Sequence, residues 1–240
     1  MKSHPSLCPI LISLRQDARM KVILFGATGM IGQGVLAECL RDERIEQVVA
    51  VGRSSLGVQH TKLRELVQPD PTDLSAIADE LPEFDACFFC LGVSSVGMKE
   101  EDYRRITYDL TLKVGRTLAA ANPKLTFIYV SGQGTDSTEQ GRSMWGRVKG
   151  KTENDLLALP FQGYMFRPGF VQPMDGVVSK TRLYRAGYAI AGPLIPLLKR
   201  LAPNAVNDNR EIGRAMIAVA AGGADTRVLK PREITARATP

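Results

Sequence analysis

Residues 20–32 read MKVILFGATGMIG, an apolar run that ends in three glycines spaced three apart, at positions 26, 29 and 32. Such a run is typical of a buried strand, and the apolar periodicity that follows is typical of a helix. A second apolar run, QVVAV (47–51), returns after the length of one βαβ unit. The stretch therefore predicts a turn that holds a nucleotide pyrophosphate at a helix N-terminus, and the alternative is a close-packed turn without a ligand.

Short apolar runs alternate with helical stretches along the rest of the chain. The predicted strands are KVILF (21–25), QVVAV (47–51), LRELV (63–67), ACFFCL (86–91), TFIYVS (126–131) and YMFR (164–167). The predicted helices are 29–40, 73–81, 100–121, 145–159 and a closing helix at 207–223. In the third helix, apolar residues recur every four positions on one face: Ile106, Leu110, Val114 and Leu118. This alternation predicts an α/β fold, with a doubly wound parallel sheet of the Rossmann type.

The composition limits the classes of function. A chain of 240 residues is long enough for one large domain, and its net charge of +6 comes without a basic run, so anionic ligands are favoured and nucleic acid is not indicated. Four cysteines show no paired framework, which favours a reducing cytoplasm. The apolar stretch SLCPILISL (6–14) is too short to span a bilayer, so no integral membrane segment is expected.

Two segments depart from the regular pattern. Residues 1–19 precede the first strand and are predicted to be a loosely held extension of the domain at 20–240. Residues 168–204 break the strand–helix alternation and are predicted to form a small substrate-side cap. Their apolar residues with basic neighbours allow three interpretations: a packed cap, a pocket for an apolar or anionic carbonyl compound, or a surface for a partner subunit or a membrane interface. Whether the chain forms a homo-oligomer stays open.

The end of the second strand, VGRSS (51–55), indicates which nicotinamide nucleotide is bound. An NAD-preferring site usually has an acidic residue here for the ribose hydroxyls, whereas this chain has Arg53. A guanidinium can bind a 2′-phosphate through paired, charge-assisted hydrogen bonds. We therefore expect NADP(H) rather than NAD(H), the alternative being that Arg53 is a solvated loop residue.

Six short motifs follow one another in a recognisable order. They are GATGMIG (26–32), VGRSS (51–55), CLG (90–92), YVSGQG (129–134), a lysine at 149 and FRPG (166–169). This ordered set resembles an atypical short-chain dehydrogenase/reductase, and within that superfamily it is most similar to the Tat-interacting-protein-like group of NADP-binding proteins. The resemblance covers about residues 20–222.

The resemblance implies a role for each matching residue. The cofactor contacts would be Gly26, Thr28, Gly29, Met30, Ile31 and Gly32 at the pyrophosphate, Arg53 at the adenosine ribose phosphate, Leu91 and Gly92 under the cofactor, and Arg167, Pro168 and Gly169 at the nicotinamide end. Ser131 would bond the substrate carbonyl, and Lys149 would hold the nicotinamide ribose. Asp109 falls where many extended relatives carry an asparagine, and its role is not assigned.

Trp145 stands where the family carries its catalytic tyrosine, four residues before Lys149. An indole donates a hydrogen bond but does not ionise, so Trp145 can orient a carbonyl, line a pocket or pack at the start of a helix, but cannot be a general acid. Three other groups could supply the proton: Tyr129, Ser143, and Lys149 through the ribose hydroxyl or a water.

Two functions therefore compete. The first is an oxidoreductase that moves hydride between NADPH and a small carbonyl substrate, with Ser131, Lys149 and position 145 in the active site. The second is a catalytically weak or inactive nucleotide-binding sensor that acts through a partner. No metal site is expected, because neither His4 nor His60 has cysteine or carboxylate neighbours at ligand spacing. The pair Cys87 and Cys90 is poorly placed for a disulfide, since residues three apart in a strand face opposite sides.

Overall fold

A computed structural model of the protein describes residues 19–174 and 206–239. Its strands are β1 (Met20–Phe25), β2 (Ile45–Gly52), β3 (Leu63–Val67), β4 (Ala86–Phe89), β5 (Thr126–Val130), β6 (Gln162–Phe166), β7 (Phe170–Gln172), β8 (Val206–Asp208) and β9 (Val228–Leu229). Seven of them form one parallel sheet in the order β3-β2-β1-β4-β5-β6-β9, and β7 pairs with β8. The predicted doubly wound α/β fold is confirmed.

Helices cover both faces of the sheet. They are α1 (Met30–Arg41), α2 (Glu100–Arg104), α3 (Leu110–Ala121), α4 (Met144–Leu157), α5 (Asn209–Gly222) and α6 (Pro231–Ala238). A π-helical turn, Arg105–Asp109, joins α2 to α3, and a 3₁₀ segment, Ser75–Glu83, precedes β4.

Alternate residues of each strand feed two separate apolar cores, because successive side chains of a strand point to opposite faces. Val22 and Leu24 of β1 pack into the core under α1 and α5. Ile23 and Phe25 pack into the core under α3 and α4. Burial on both faces accounts for the almost uninterrupted apolar runs that mark these strands in the sequence.

Stacked aromatic rings connect three neighbouring strands of the sheet. Phe25 closes β1 and Phe89 closes β4, and their ring centroids lie 5.2 Å apart. Phe89 also stacks on Phe127 of β5, at 5.8 Å between centroids. Since offset stacking adds to the free energy of simple burial, these rings hold the ends of β1 and β4 in a fixed relation to the start of β5.

The structure corrects several of the predicted helices. Residues 73–81 do not form an α-helix, and from position 75 onward they belong to the 3₁₀ segment, which contains Pro82. Asp208 caps α5 by accepting a hydrogen bond from the Glu211 backbone, but α5 does not close the chain, because β9 and α6 follow it. Four elements were not predicted: β7, β8, β9 and α6. The three strands have only two or three residues each, too few to show a periodicity.

The π-helical turn changes which side of the long helical stretch is buried. Val114 and Leu118 are fully buried, as predicted, but Ile106 and Leu110 are only partly buried. Tyr103 and Thr107 are the buried residues in that part instead. An extra residue in one helical turn rotates the residues before it relative to those after it. A pattern of strict four-residue spacing cannot reveal such a rotation.

Some sequence predictions fall on residues outside the described ranges. Of the predicted extension, residues 1–18 lie outside the described residues, and so do residues 175–204 of the predicted cap.

Cys87 packs in one core and Cys90 against the other, and both are free thiols, as is Cys39.

Close packing of α4 makes a testable prediction about Gly150. A Cβ atom at this position would lie 1.7 Å from the main-chain oxygen of Asp136. We expect Gly150→Ala to lower the free energy of unfolding by about 1–3 kcal/mol, because overpacking forces the backbone to shift. The matched control is Gly222→Ala at the end of α5, where no atom of the described residues lies within 4 Å of the added Cβ. There, alanine should be neutral or stabilise by up to about 1 kcal/mol. Urea unfolding of both variants measures the difference, and equal free energies would contradict the packing argument.

Candidate functional site

The predicted site residues follow strands that end at one edge of the sheet. Gly26 follows β1, Arg53 follows β2, Leu91 lies just after β4, Ser131 follows β5 and Arg167 follows β6. Because all these strands are parallel, their carboxyl ends lie on the same side of the sheet. The strand order reverses between β1 and β4, and ligands of open α/β sheets bind outside the carboxyl ends at such a switch point.

The glycine turn depends on direct contact between backbones. Gly26 has a φ of +82°, and a Cβ there would lie 2.6 Å from the Leu91 nitrogen. A Cβ at Gly32 would lie 2.1 Å from the Gly26 oxygen. Only glycine avoids both contacts, so the turn, the start of α1 and the end of β4 can pack together.

The amino end of α1 has the features of an anion site. Gly29 is the N-cap, no side chain of the described residues caps it, and the first turn contains no acidic residue. The positive end of the helix dipole therefore favours a negatively charged group at this position. This position agrees with the one predicted for the pyrophosphate.

A cleft of about 320 Å³ opens beside the glycine turn. Its lining residues are Gly26, Ala27, Thr28, Ala50, Val51, Gly52, Arg53, Ser54, Leu56, Glu65, Pro71 and Leu91. The cleft brings four of the predicted cofactor residues together: Gly26, Thr28, Arg53 and Leu91. Met30, Ile31 and Gly32 lie in the first turn of α1 and do not line it, and Gly92 is exposed.

Lys149 is held at the end of β5 by main-chain oxygens. Its ammonium donates to the Ser131 carbonyl at 2.8 Å and lies 3.4 Å from the Val130 carbonyl. Removal of the ammonium from bulk water lowers the pKa of Lys149 to about 8, and the nearby Glu153 carboxylate opposes part of that shift. Lys149 is therefore the one predicted catalytic residue with both a fixed position and a proton that exchanges near neutral pH.

The Ser131 hydroxyl is engaged inside the fold. It donates to the Glu153 carboxylate and lies 3.1 Å from the Phe166 carbonyl. A hydroxyl has a single proton, and a charged acceptor forms the stronger bond. Ser131 therefore has to exchange its bond to Glu153 before it can donate to a substrate carbonyl.

Arg167 completes this buried network. Its Nε lies 3.1 Å from both oxygens of Glu153, and its Nη2 bonds Glu153 and the Ser137 hydroxyl. The Glu153 side chain is 1% exposed and that of Arg167 is 14% exposed. The guanidinium thus faces Glu153 and not the predicted nicotinamide end. Of the two residues that follow it, Pro168 is buried, and the Gly169 N–H donates to Asn207 at 3.3 Å.

Trp145 lies against the glycine loop that follows β5. A Cβ at Gly134 would be 3.2 Å from Cζ2 and Cη2 of the indole, and one at Gly132 would be 3.9 Å from Cζ3. The ring is half-buried and lies in the first turn of α4. This contact makes Trp145 a packing residue of the loop and also places its exposed part at the carboxyl edge of the sheet.

The other two candidate proton donors lie in different surroundings. Tyr129 is 1% exposed, and burial raises the pKa of its phenol well above the usual value. Ser143 is the N-cap of α4 and accepts a hydrogen bond from the Gly146 nitrogen at 3.4 Å. Of the three predicted routes, the one through Lys149 has the fewest structural obstacles. Asp109 is exposed, 3.8 Å from Arg104.

Sequence reasoning missed Glu153, which joins Ser131 to Arg167. One turn of helix separates Glu153 from Lys149, so the two side chains project from the same face of α4. That face also contains Gly146 and Gly150, which are buried. Glu153 lies on the same helical face as two buried glycines, and this spacing is the signal that could have identified it. Glutamate is rarely buried unless it is paired.

Two general features of the described residues bear on the class of site. Within residues 19–174 and 206–239, His, Cys, Asp and Glu side chains nowhere gather in threes that could hold a metal ion. Helices in the same ranges are all too short or too polar to cross a membrane.

Two relatives are similar to this chain in sequence. Protein HTATIP2 of Rattus norvegicus is 26% identical over 216 residues, which cover 82% of this chain and 87% of that protein. Protein FMP52-1, mitochondrial, of Scheffersomyces stipitis is 25% identical over 155 residues, covering 63% of this chain and 67% of the relative. The predicted similarity to the Tat-interacting-protein-like group is thereby confirmed.

Solved structures share the fold at low identity. WbmF of Bordetella bronchiseptica, in complex with NAD+ and UDP, superposes with a TM-score of 0.64 at 16% identity, covering 93% of this chain and 77% of that one. A short chain dehydrogenase of Burkholderia cenocepacia J2315, in complex with NADP, gives 0.60 at 15% identity, covering 91% and 92%.

The family assignment rests on the first half of the fold. The sequence profile of the NAD dependent epimerase/dehydratase family matches residues 22–143, from β1 through the loop before α4. The matched region contains the glycine turn, the cleft and Ser131. The chain belongs to the NAD dependent epimerase/dehydratase family, whose cofactor class is a nicotinamide dinucleotide.

Proposed function

We propose that the protein is an NADP(H)-dependent oxidoreductase that transfers hydride between NADPH and a small carbonyl substrate. The observation that supports this most is the Lys149 ammonium, held at the end of β5 by the Ser131 carbonyl on the same sheet edge as the glycine turn. A lysine with a lowered pKa at the edge of a nucleotide site is suited to bonding a ribose hydroxyl and passing on a proton.

In this proposal, different residues of the chain bind different parts of the nucleotide. The turn from Gly26 to Gly32 binds the pyrophosphate with backbone N–H groups, and Arg53 binds the 2′-phosphate of the adenosine ribose. Leu91 and Gly92 lie under the nucleotide, and the backbone at Pro168 and Gly169 lies at the nicotinamide end. When bound, the nicotinamide supplies or accepts the hydride.

The proton has to come from a group other than position 145. Lys149 holds the nicotinamide ribose and donates through its hydroxyl or a water, because burial removes Tyr129 from the site and the pKa of Lys149 is lowered to about 8. Ser131 fixes Lys149 through its carbonyl oxygen, and its hydroxyl polarises the substrate only after leaving Glu153.

A second candidate function is favoured by Trp145. With no phenol at the family's acid position and the Ser131 hydroxyl bound to Glu153, the protein would bind the nucleotide without rapid turnover. It would then act as a redox sensor, whose reduced and oxidised ligands favour different conformations or partners. Such a sensor needs different affinities for the two ligands, since equal affinities shift no equilibrium.

Some further features belong to the proposal. One domain accounts for residues 20–174 and 206–239, and the substrate is an apolar or anionic carbonyl compound. Nearly all of the predicted extension and most of the predicted cap lie outside the described residues. The cytoplasm is the proposed location, although the name of the FMP52-1 relative places that protein in mitochondria.

The first prediction concerns Arg53. If its guanidinium binds the 2′-phosphate, Arg53→Ala should raise the Kd for NADPH by about 10- to 100-fold, the range expected for loss of charge-assisted hydrogen bonds. The Kd for NADH should change by less than about threefold, because NADH lacks that phosphate. Fluorescence titration of both nucleotides measures this. Arg105→Ala, an exposed arginine on the π-helical turn, is the control. Similar losses for both nucleotides would mean that Arg53 does not contact the phosphate.

The second prediction concerns Lys149. The measurement is NADPH oxidation with a panel of aldehydes, ketones and quinones. We expect Lys149→Ala to lower kcat/KM at least about 100-fold, the lower end of the range for general acid–base catalysis. Because the ammonium is the required form and its pKa lies at about 8, kcat/KM should be highest below pH 8 and fall as the pH rises through it. Lys151→Ala on the same helix, whose lysine pairs with Asp155 at 3.1 Å, should change little. Unchanged turnover in Lys149→Ala would overturn the mechanism.

The third prediction separates the two functions at Trp145. In the sensor, the missing phenol is what prevents turnover, so Trp145→Tyr should raise NADPH oxidation about 100-fold or more, as a general acid does, while Trp145→Phe should not. In the enzyme, the proton already arrives through Lys149, and both variants should lie within about tenfold of the native rate. An unmodified chain that shows no turnover and a tyrosine variant that does would decide for the sensor.

A further inference from the structure

Glu65 is an acidic residue inside the cleft that has no assigned role. It lies on β3, the edge strand of the sheet, and pairs in register with Ala50 of β2. Its side chain is half-buried and lines the same cleft as Arg53 and Ser54. A carboxylate beside the expected position of a phosphate is unfavourable unless its charge is otherwise engaged.

Both oxygens of Glu65 are engaged by the loop that follows β2. Oε2 accepts a hydrogen bond from the Leu56 nitrogen at 2.8 Å, and Oε1 accepts one from the Ser55 hydroxyl at 3.3 Å. The Ser55 hydroxyl in turn accepts from the Gly57 nitrogen at 3.2 Å. One carboxylate on a strand therefore fastens the loop of residues 53–57 to the sheet.

Arg53 and Ser54 lie at the start of this loop and face the cleft. Arg53 is exposed, and its guanidinium makes no hydrogen bond or ion pair with the described parts of the chain, 19–174 and 206–239. Glu65 lines the same cleft, yet its oxygens are occupied by Ser55 and Leu56 rather than by Arg53. The loop is thus held in place while its cation stays available to a ligand.

We propose that Glu65 is a positioning residue that holds the 53–57 loop as a pre-formed receptor for the 2′-phosphate and so sets the preference for NADP(H) over NAD(H). This inference rests on the proposed function, in that it requires Arg53 to bind that phosphate. Ordering a loop at the moment of binding lowers affinity, and an interaction that orders it beforehand removes that cost. The benefit applies only to ligands that the ordered loop contacts, so it should distinguish NADPH from NADH.

The test compares two substitutions of Glu65 by titration with NADPH, NADH, 2′,5′-ADP and 5′-AMP. Glu65→Ala removes both loop bonds and should raise the Kd for NADPH and 2′,5′-ADP about tenfold, the loss expected when one loop must be ordered on binding. The Kd for NADH and 5′-AMP should stay within about twofold. Glu65→Gln should stay within about threefold of the native protein, because an amide can accept from Leu56 and donate to Ser55.

Two further variants keep the test decisive. Ser55→Ala removes one of the two bonds and should shift the NADPH preference in the same direction by a smaller factor, and it decides the question if Glu65→Ala does not fold. Glu80→Ala is the control, since Glu80 is a half-buried acid that pairs with Arg64 of strand β3 and does not line the cleft.

The outcomes separate this inference from the function on which it rests. If Arg53→Ala loses the NADPH preference while Glu65→Ala and Ser55→Ala keep it, the inference is overturned and the proposed cofactor stands. If the native protein binds NADPH and NADH equally, the proposed cofactor preference fails and the role of Glu65 fails with it. A parallel loss in Glu65→Ala, restored in Glu65→Gln, supports the inference.

Discussion

The contact of Gly26 with Leu91 and Gly32 is the constraint on which the nucleotide cleft depends. Any side chain at Gly26 would collide with the backbone at the end of β4, and one at Gly32 would collide with the Gly26 carbonyl. These contacts bring the turn, α1 and β4 within van der Waals distance at the point where the strand order reverses. The helix N-terminus can therefore approach a ligand with no side chain between them. Stacking of Phe25 on Phe89 fixes the same two strands from inside the core.

The second structural centre is the buried pair of Glu153 and Arg167. Burying two charges costs free energy, and their mutual attraction offsets that cost only if their hydrogen bonds are complete. Here Glu153 accepts from Arg167 and from Ser131, so the carboxylate joins α4 to the residues that follow β5 and β6. The Ser131 carbonyl, which this network holds in place, is the group that bonds Lys149. The position of the Lys149 ammonium is thus set by the interior of the fold.

Much of the fold was predictable because its signals are local. Six strands and the glycine turn are encoded in contiguous runs such as KVILF and GATGMIG, which tertiary context reinforces. Other features were not predictable, because they depend on contacts between distant residues. The π-helical turn rotates the buried face of the long helical stretch, and the two-residue strand β9 has too few residues to show a pattern.

The candidate site shows the same division. Gly26 and Arg53 could be identified from their place after a strand, and both line one cleft. Glu153 and Glu65 could not be identified in this way, since an acidic residue in a helix or an edge strand is ordinarily solvated. Their importance comes from partners that are distant in sequence or on another strand. Glu153 and Arg167 are 14 positions apart, and the stretch between them includes the end of α4 and all of β6.

Lys149 and Trp145 together define what is unusual about this protein. In the proposed mechanism the lysine acts without a phenol, so its ammonium needs a fixed position of its own. Its surroundings provide that position: two main-chain carbonyls face the ammonium, and a buried carboxylate lies nearby. The same lysine is equally needed to hold a ribose in a protein that only binds nucleotide. The position of Lys149 therefore supports nucleotide binding in both proposed functions, whereas its lowered pKa favours the proposed enzyme, because only the enzyme has to pass on a proton.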